Sequence, residues 1–164
     1  MATSGINRIV REDTYSMQVP VLANIQISQG DFVFKTAAGF AIPATGVSWS
    51  ISAEGSNAII KSGFLGIAQE DHGATDPSGR ILVASEGIAR LQVSGTFPAT
   101  GIGEKVHLVK DAGGNYLSNQ LISIASSSGT GIGVLAQTLT AAVADGGTVL
   151  VRFWGKPATD ISQI

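Results

Sequence analysis

The chain has 164 residues, a formal net charge of −2 and only 13% charged residues, against about 25% in ordinary soluble domains. That length fits one domain, or two small subdomains sharing a core, and needs neither metal nor disulfide to fold. With no cysteine, disulfide scaffolds, zinc–thiolate sites and thiol nucleophiles are excluded, and the scattered charges leave no electrostatic footprint for nucleic acid.

Residues 1–15 place Arg8, Arg11, Glu12 and Asp13 among a few apolar residues, Ile6, Ile9 and Val10. Two readings stand open. One is a loose terminus. The other is an arm that orders on a neighbouring subunit by adding a strand to its sheet edge, with Ile6, Arg8, Ile9, Val10 and Arg11 as the contact residues. The start of the chain has no apolar core of signal-peptide length. Its longest apolar runs fall far short of the ~20 residues that span a bilayer. The expectation is a soluble protein made in the cytoplasm, with no membrane partner.

From Ser16 the pattern is that of strands. Met17, Val19 and Val21 alternate with Gln18 and Pro20, and Ile25 and Ile27 alternate with Asn24, Gln26 and Ser28. Pro20 cannot donate to a ladder, so its strand lies at an edge or ends there. Phe32-Val33-Phe34 and Phe40-Ala41-Ile42 are short strands around a turn at Ala38-Gly39. Val47, Trp49 and Ile51 alternate with serines, which predicts a projecting hairpin within residues 43–62.

Phe64 to Gln69 reads as a buried strand, and residues 70–79 as a polar loop. Ile81–Ala84 and Ile88–Val93 read as strands around a Ser85-Glu86-Gly87 turn. Residues 94–103 connect to a second set of strands: Lys105–Val109, Gly133–Gln137 and Thr148–Trp154. Tyr116 and Leu117 match Phe40 and Ile42 in position, and Leu121–Gly129 replaces the hairpin of the first half. A short helical turn is possible within Leu135–Val143, but no long segment keeps a helical period.

The two halves echo each other in order, about 70 residues apart. Gly30-Asp31-Phe32-Val33-Phe34 is matched by Gly103-Glu104-Lys105-Val106-His107. Gly66-Ile67-Ala68-Gln69 is matched by Gly133-Val134-Leu135-Ala136-Gln137, and Gly79-Arg80-Ile81-Leu82-Val83 by Gly147-Thr148-Val149-Leu150-Val151. The fold expected is mainly β, a compact β-barrel or β-tulip-like domain built from two related β-units, with little helix. Its limits are an arm at 1–15, one domain at 16–157 (unit one about 17–93, unit two about 94–156) and a tail at 158–164.

Residues that could carry chemistry are few. Glu70, Asp71, His72 and Asp76 cluster in one loop, but their spacing fits no calcium loop, and Pro77-Ser78-Gly79 is turn chemistry. His72 and His107 are the only histidines, and no Gly-x-Ser-x-Gly elbow is present. Gly129-x-Gly131-x-Gly133 lacks both the helix and the lysine of a phosphate loop. No cofactor, metal or enzymatic activity is expected. Trp154 reads as core or subunit interface, and Trp49 as a satellite core or a contact anchor. Trp49, Ile51, His72 and Trp154 are the possible interface residues.

The blocks Gly30-Asp31, Gly66-Ile67-Ala68, Ile81 to Leu91, Gly103-Glu104-Lys105-Val106 and Gly147 to Phe153, covering about residues 17–156, resemble tailed-bacteriophage head decoration (capsid cement) proteins. The chain departs from that pattern in its 43–62 and 70–79 insertions. The resemblance implies a non-enzymatic virion protein on the outer surface of the capsid, a homotrimer that clamps neighbouring major capsid protein subunits. The competing reading is a carbohydrate-binding or adhesion module of a phage fibre or spike, which would want an exposed aromatic platform.

Overall fold

A computed structural model describes residues 8–9, 15–48, 63–124 and 131–155. The protein is mainly β. In chain order the strands are β1 (Arg8–Ile9), β2 (Tyr15–Pro20), β3 (Phe32–Lys35), β4 (Ala41–Pro43), β5 (Phe64–Ala68), β6 (Arg80–Val93), β7 (Lys105–Lys110), β8 (Leu117–Ile124), β9 (Gly133–Leu135) and β10 (Thr148–Trp154). A 3-10 turn at Ala44–Gly46 follows β4.

Five strands close a barrel. The C-terminal half of β6 pairs with β10, β10 with β9, β9 with β7 and β7 with β8, all antiparallel. The ring then closes in parallel, with Gln92 opposite Leu121 and Val93 opposite Ile122. The outer strands repeat this plan. Here β2 pairs with the N-terminal half of β6, β6 with β5, β5 with β3 and β3 with β4. Val21, just beyond β2, then meets Ala41 of β4 in a parallel bridge. We call the outer set barrel one and the closed set barrel two. The 14-residue β6 belongs to both.

Backbone hydrogen bonds fix the correspondence between the halves. The Gly30 N–H donates to Ala68 O and the Gly103 N–H to Leu135 O, both at 2.9 Å. Gln69 donates to Leu82 O, and Ala136 to Leu150 O. Two side chains repeat as well. Glu70 Oε1 accepts from the Leu82 N–H at 2.9 Å, and Gln137 Oε1 from the Leu150 N–H at 2.7 Å. Gln137 therefore corresponds to Glu70, and the Gln69–Gln137 match read from the sequence is one residue out of step.

Each barrel has its own interior. Val19, Val33, Leu65, Ile81 and Val83 fill barrel one, and Leu91, Val106, Ile132, Val149 and Val151 stand at the corresponding positions in barrel two. Phe32, Phe34 and Phe64 point the other way, off barrel one, and share a continuous core with the interior of barrel two. The Phe32 and Phe64 rings meet edge to face at 6.2 Å. Burying each such ring is worth roughly 1.5–3 kcal/mol, so this contact dominates the joint between the barrels.

Several expectations change on meeting the fold. Ser85-Glu86-Gly87 is not a turn. Opposite the register shift between Tyr15 and Ser16, β6 carries an extra residue, Ser85, and runs on as a bulged strand. Strand β6 accordingly takes part in the pairing of both units. Ile25 and Ile27 do not form a strand; Asn24 at φ 63° turns the chain, and only Ile27 bridges, to His72. Ala41 corresponds to Ile122, because each occupies the parallel closure of its barrel, so Tyr116 and Leu117 are not the counterparts of Phe40 and Ile42. Residues 121–124 complete β8, and Leu139 and Val143 make bridges to Thr100 and Phe97 in place of a helical turn. Of the 43–62 hairpin, Val47 is buried and Ser48 bridges to Tyr116; its remainder, 49–62, lies outside the described residues.

Candidate interaction surface

Strand β6 organises the exposed surface as well as the core. Along one edge it pairs with β2, then β1, then β8; along the other, β5 gives way to β10. At the changeover, the Gly155 N–H donates to Ser85 O and holds the end of β10 beside β5. Glu86 sits at this point, with Tyr15 opposite on β2 and Trp154 opposite on β10. Directly paired residues share a face, so the three side chains form one row across three strands.

Tyr15 is 55% exposed and Trp154 49% exposed. Arg152, two residues back on β10 and opposite Ile88, lies on the same face. Glu86 and Arg152 are both exposed, and neither makes a hydrogen bond or ion pair among the described residues. Glu86 borders two shallow depressions. One of about 220 Å³ is lined by Tyr15, Ser85, Glu86 and Gly155. The other, about 90 Å³, is lined by Glu86, Ile88, Arg152 and Trp154 among others.

The residues singled out from the sequence are dispersed by the fold. Trp154 is on this surface, outside the core. Arg8 and Ile9 form β1, opposite Arg90 and Ala89 of the protein's own β6, so the strand that the arm adds is added within the chain. Ile6, Val10 and Arg11, with Trp49 and Ile51, lie outside the described residues. His72 is buried within the chain itself. It is 4% exposed, because its strand-like bridge to Ile27 draws it into the mouth of barrel one. Its Nδ1 donates to Ile25 O at 3.2 Å, while Nε2 is buried without a partner among the described residues.

The acids around His72 serve the backbone. Asp71 Oδ1 accepts from the Gln29 N–H at 2.8 Å, and Asp76 Oδ1 from the Ser78 N–H at 2.8 Å. The Ser78 backbone and hydroxyl hold the Asp76 carboxyl below its ordinary value of 3.8. Among the described residues no three His, Asp or Glu side chains converge as a metal site would require.

Sequence reading missed Tyr15, Glu86 and Arg152. The alternation of β10 did carry part of the signal: with Val149, Val151 and Phe153 inward, Arg152 and Trp154 must point out together. Tyr15 and Glu86 could not be found that way, because their pairing depends on the bulge. No protein-family model matches the chain, and no curated protein is significantly similar to it.

Proposed function

We propose that the protein is a structural virion protein that binds the outside of an assembled phage capsid, as a homotrimer, and stabilises it by clamping neighbouring major capsid protein subunits. One observation carries this reading beyond the sequence resemblance. A closed barrel with its outer strands carries an N-terminal strand, β1, that pairs with β6 among the described residues through Arg8↔Arg90 and Ile9↔Ala89. A strand that joins a sheet edge through its backbone can pair in the same way with an edge on a neighbour, gaining backbone hydrogen bonds without demanding particular side chains. A clamp needs such a strand on a folded body.

The test is co-sedimentation with expanded capsids, followed by cryo-EM of the decorated shell. The full chain is expected to pellet with capsids and to raise their resistance to heat. The chain lacking residues 1–14, which keeps all of β2, is expected to stay folded and to lose capsid binding. Undiminished binding by the shortened chain would remove the arm from the mechanism. Failure of the full chain to bind expanded capsids would overturn the reading itself.

A further inference from the structure

We infer that the Tyr15–Glu86–Trp154 face is a binding site for a neutral carbohydrate. The inference is independent of the capsid reading and rests on three features of the surface.

The first is the pair of exposed rings. Tyr15 and Trp154 stand on the strands flanking β6, hence about 10 Å apart at two interstrand spacings. Aromatic side chains half exposed on a sheet present π-faces on which the C–H face of a sugar ring stacks, and each keeps a polar tip toward water. Two rings at this separation can engage alternate sugars of an extended oligosaccharide.

Charge is the second. Glu86 supplies a hydrogen-bond acceptor and Arg152 a fork of donors, and neither is engaged among the described residues. Among the described residues that line the two depressions, these two charges are opposite and cancel. A cationic side chain would meet Arg152 and a polyanion would meet Glu86, whereas sugar hydroxyls donate to one and accept from the other. The balance favours a neutral polyol over either ion.

The third is shape. The two depressions of about 220 Å³ and about 90 Å³ share Glu86 as their common wall. Subsites on either side of one carboxylate suit a ligand of repeated units better than a single compact molecule. The bulge at Ser85 and the tether from Gly155 to Ser85 O fix the floor of the larger one, so the site is largely preformed.

The experiment is a printed glycan array that includes neutral, sulfated and sialylated oligosaccharides together with lysine-rich peptides, followed by calorimetric titration of the strongest binders. At least one neutral oligosaccharide is expected to bind with a dissociation constant of about 1 mM or tighter. Trp154→Ala and Tyr15→Ala should each weaken it at least tenfold, Trp154→Phe should retain part of the affinity, and Tyr116→Ala, an exposed tyrosine elsewhere, should change nothing. Circular dichroism confirms that each variant is folded. No neutral glycan binding, binding indifferent to Trp154→Ala, or preferential capture of polyanions or lysine-rich peptides overturns the inference. Capsid co-sedimentation of Trp154→Ala, expected to be unchanged, separates failure here from failure of the capsid reading.

Discussion

The Gln120 side-chain amide donates to the Asp31 carboxylate at 2.8 Å, and both side chains are buried. Asp31 belongs to barrel one, just before β3, and Gln120 to β8 of barrel two, so this bond crosses the joint. Asp31 also accepts from the Ser28 N–H, and Gln120 also donates to Gln29 O. The counterpart of Asp31 in barrel two, Glu104, is exposed. Both halves thus carry an acid at this position, and only Asp31 links the two barrels.

Gln120→Ala should therefore destabilise the protein by about 1–3 kcal/mol, the cost of leaving a buried acceptor short of a donor. Urea denaturation gives the number. A loss below about 0.5 kcal/mol would show that water replaces the amide and that the apolar joint alone holds the barrels together.

Gly66 and Gly133 occupy matching positions, and a side chain at either would overlap a backbone carbonyl, that of Ala84 or of Arg152. Gly79 has a left-handed φ of 61° but open space around it. Gly66→Ala and Gly133→Ala should each cost at least about 3 kcal/mol through backbone displacement, against about 1 kcal/mol for Gly79→Ala. Gly66 has in addition a φ of 141°, so its loss, measured by thermal melts, should equal or exceed that at Gly133.

These glycines were visible in the sequence, as were the strands that follow them, because glycine is demanded locally and a short apolar run survives in either environment. What sequence could not reveal was that β6 serves two barrels. Ser85-Glu86-Gly87 has turn composition, and only the competing demands of β2 and β10 on the same residues make it a bulge. The joint was equally hidden. Phe32 and Phe34 look like ordinary strand residues, and the second unit has Lys105 and His107 in their places. In the fold that difference separates a face that docks on barrel two from one that meets no third barrel. The surface row was illegible for the same reason: Tyr15 and Glu86 are far apart in the chain and are paired by the bulge.

His72 and Leu139 hold equivalent bridges, to Ile27 and Thr100. Replacing the imidazole by the residue that barrel two already uses removes a buried, unpartnered nitrogen, worth about 1–3 kcal/mol, and forfeits one hydrogen bond to Ile25 O, worth about 0.5–1.5 kcal/mol. His72→Leu should raise the melting temperature or leave it unchanged. A marked drop would mean that Nε2 is satisfied by a water or a ligand in solution, and would turn attention to the mouth of barrel one.

Acid should weaken the 70–79 loop in a defined direction. The Asp76 carboxyl is held below its ordinary value of 3.8 chiefly by the Ser78 backbone N–H, then by the Ser78 hydroxyl, with a smaller contribution from His72. A depressed carboxyl pKa favours the folded state above the unfolded value, and that contribution disappears as pH falls through the folded value. Asp76 is partly exposed, so solvent screens the effect and its size is small. Asp76→Asn retains an acceptor for Ser78 while removing the charge. Melting curves of the two proteins should therefore differ between pH 5 and 7, the wild type being the more stable, and converge once the pH lies below the depressed value. A gap that persists unchanged into strong acid would assign the difference to the geometry of the Ser78 turn and not to the charge on Asp76.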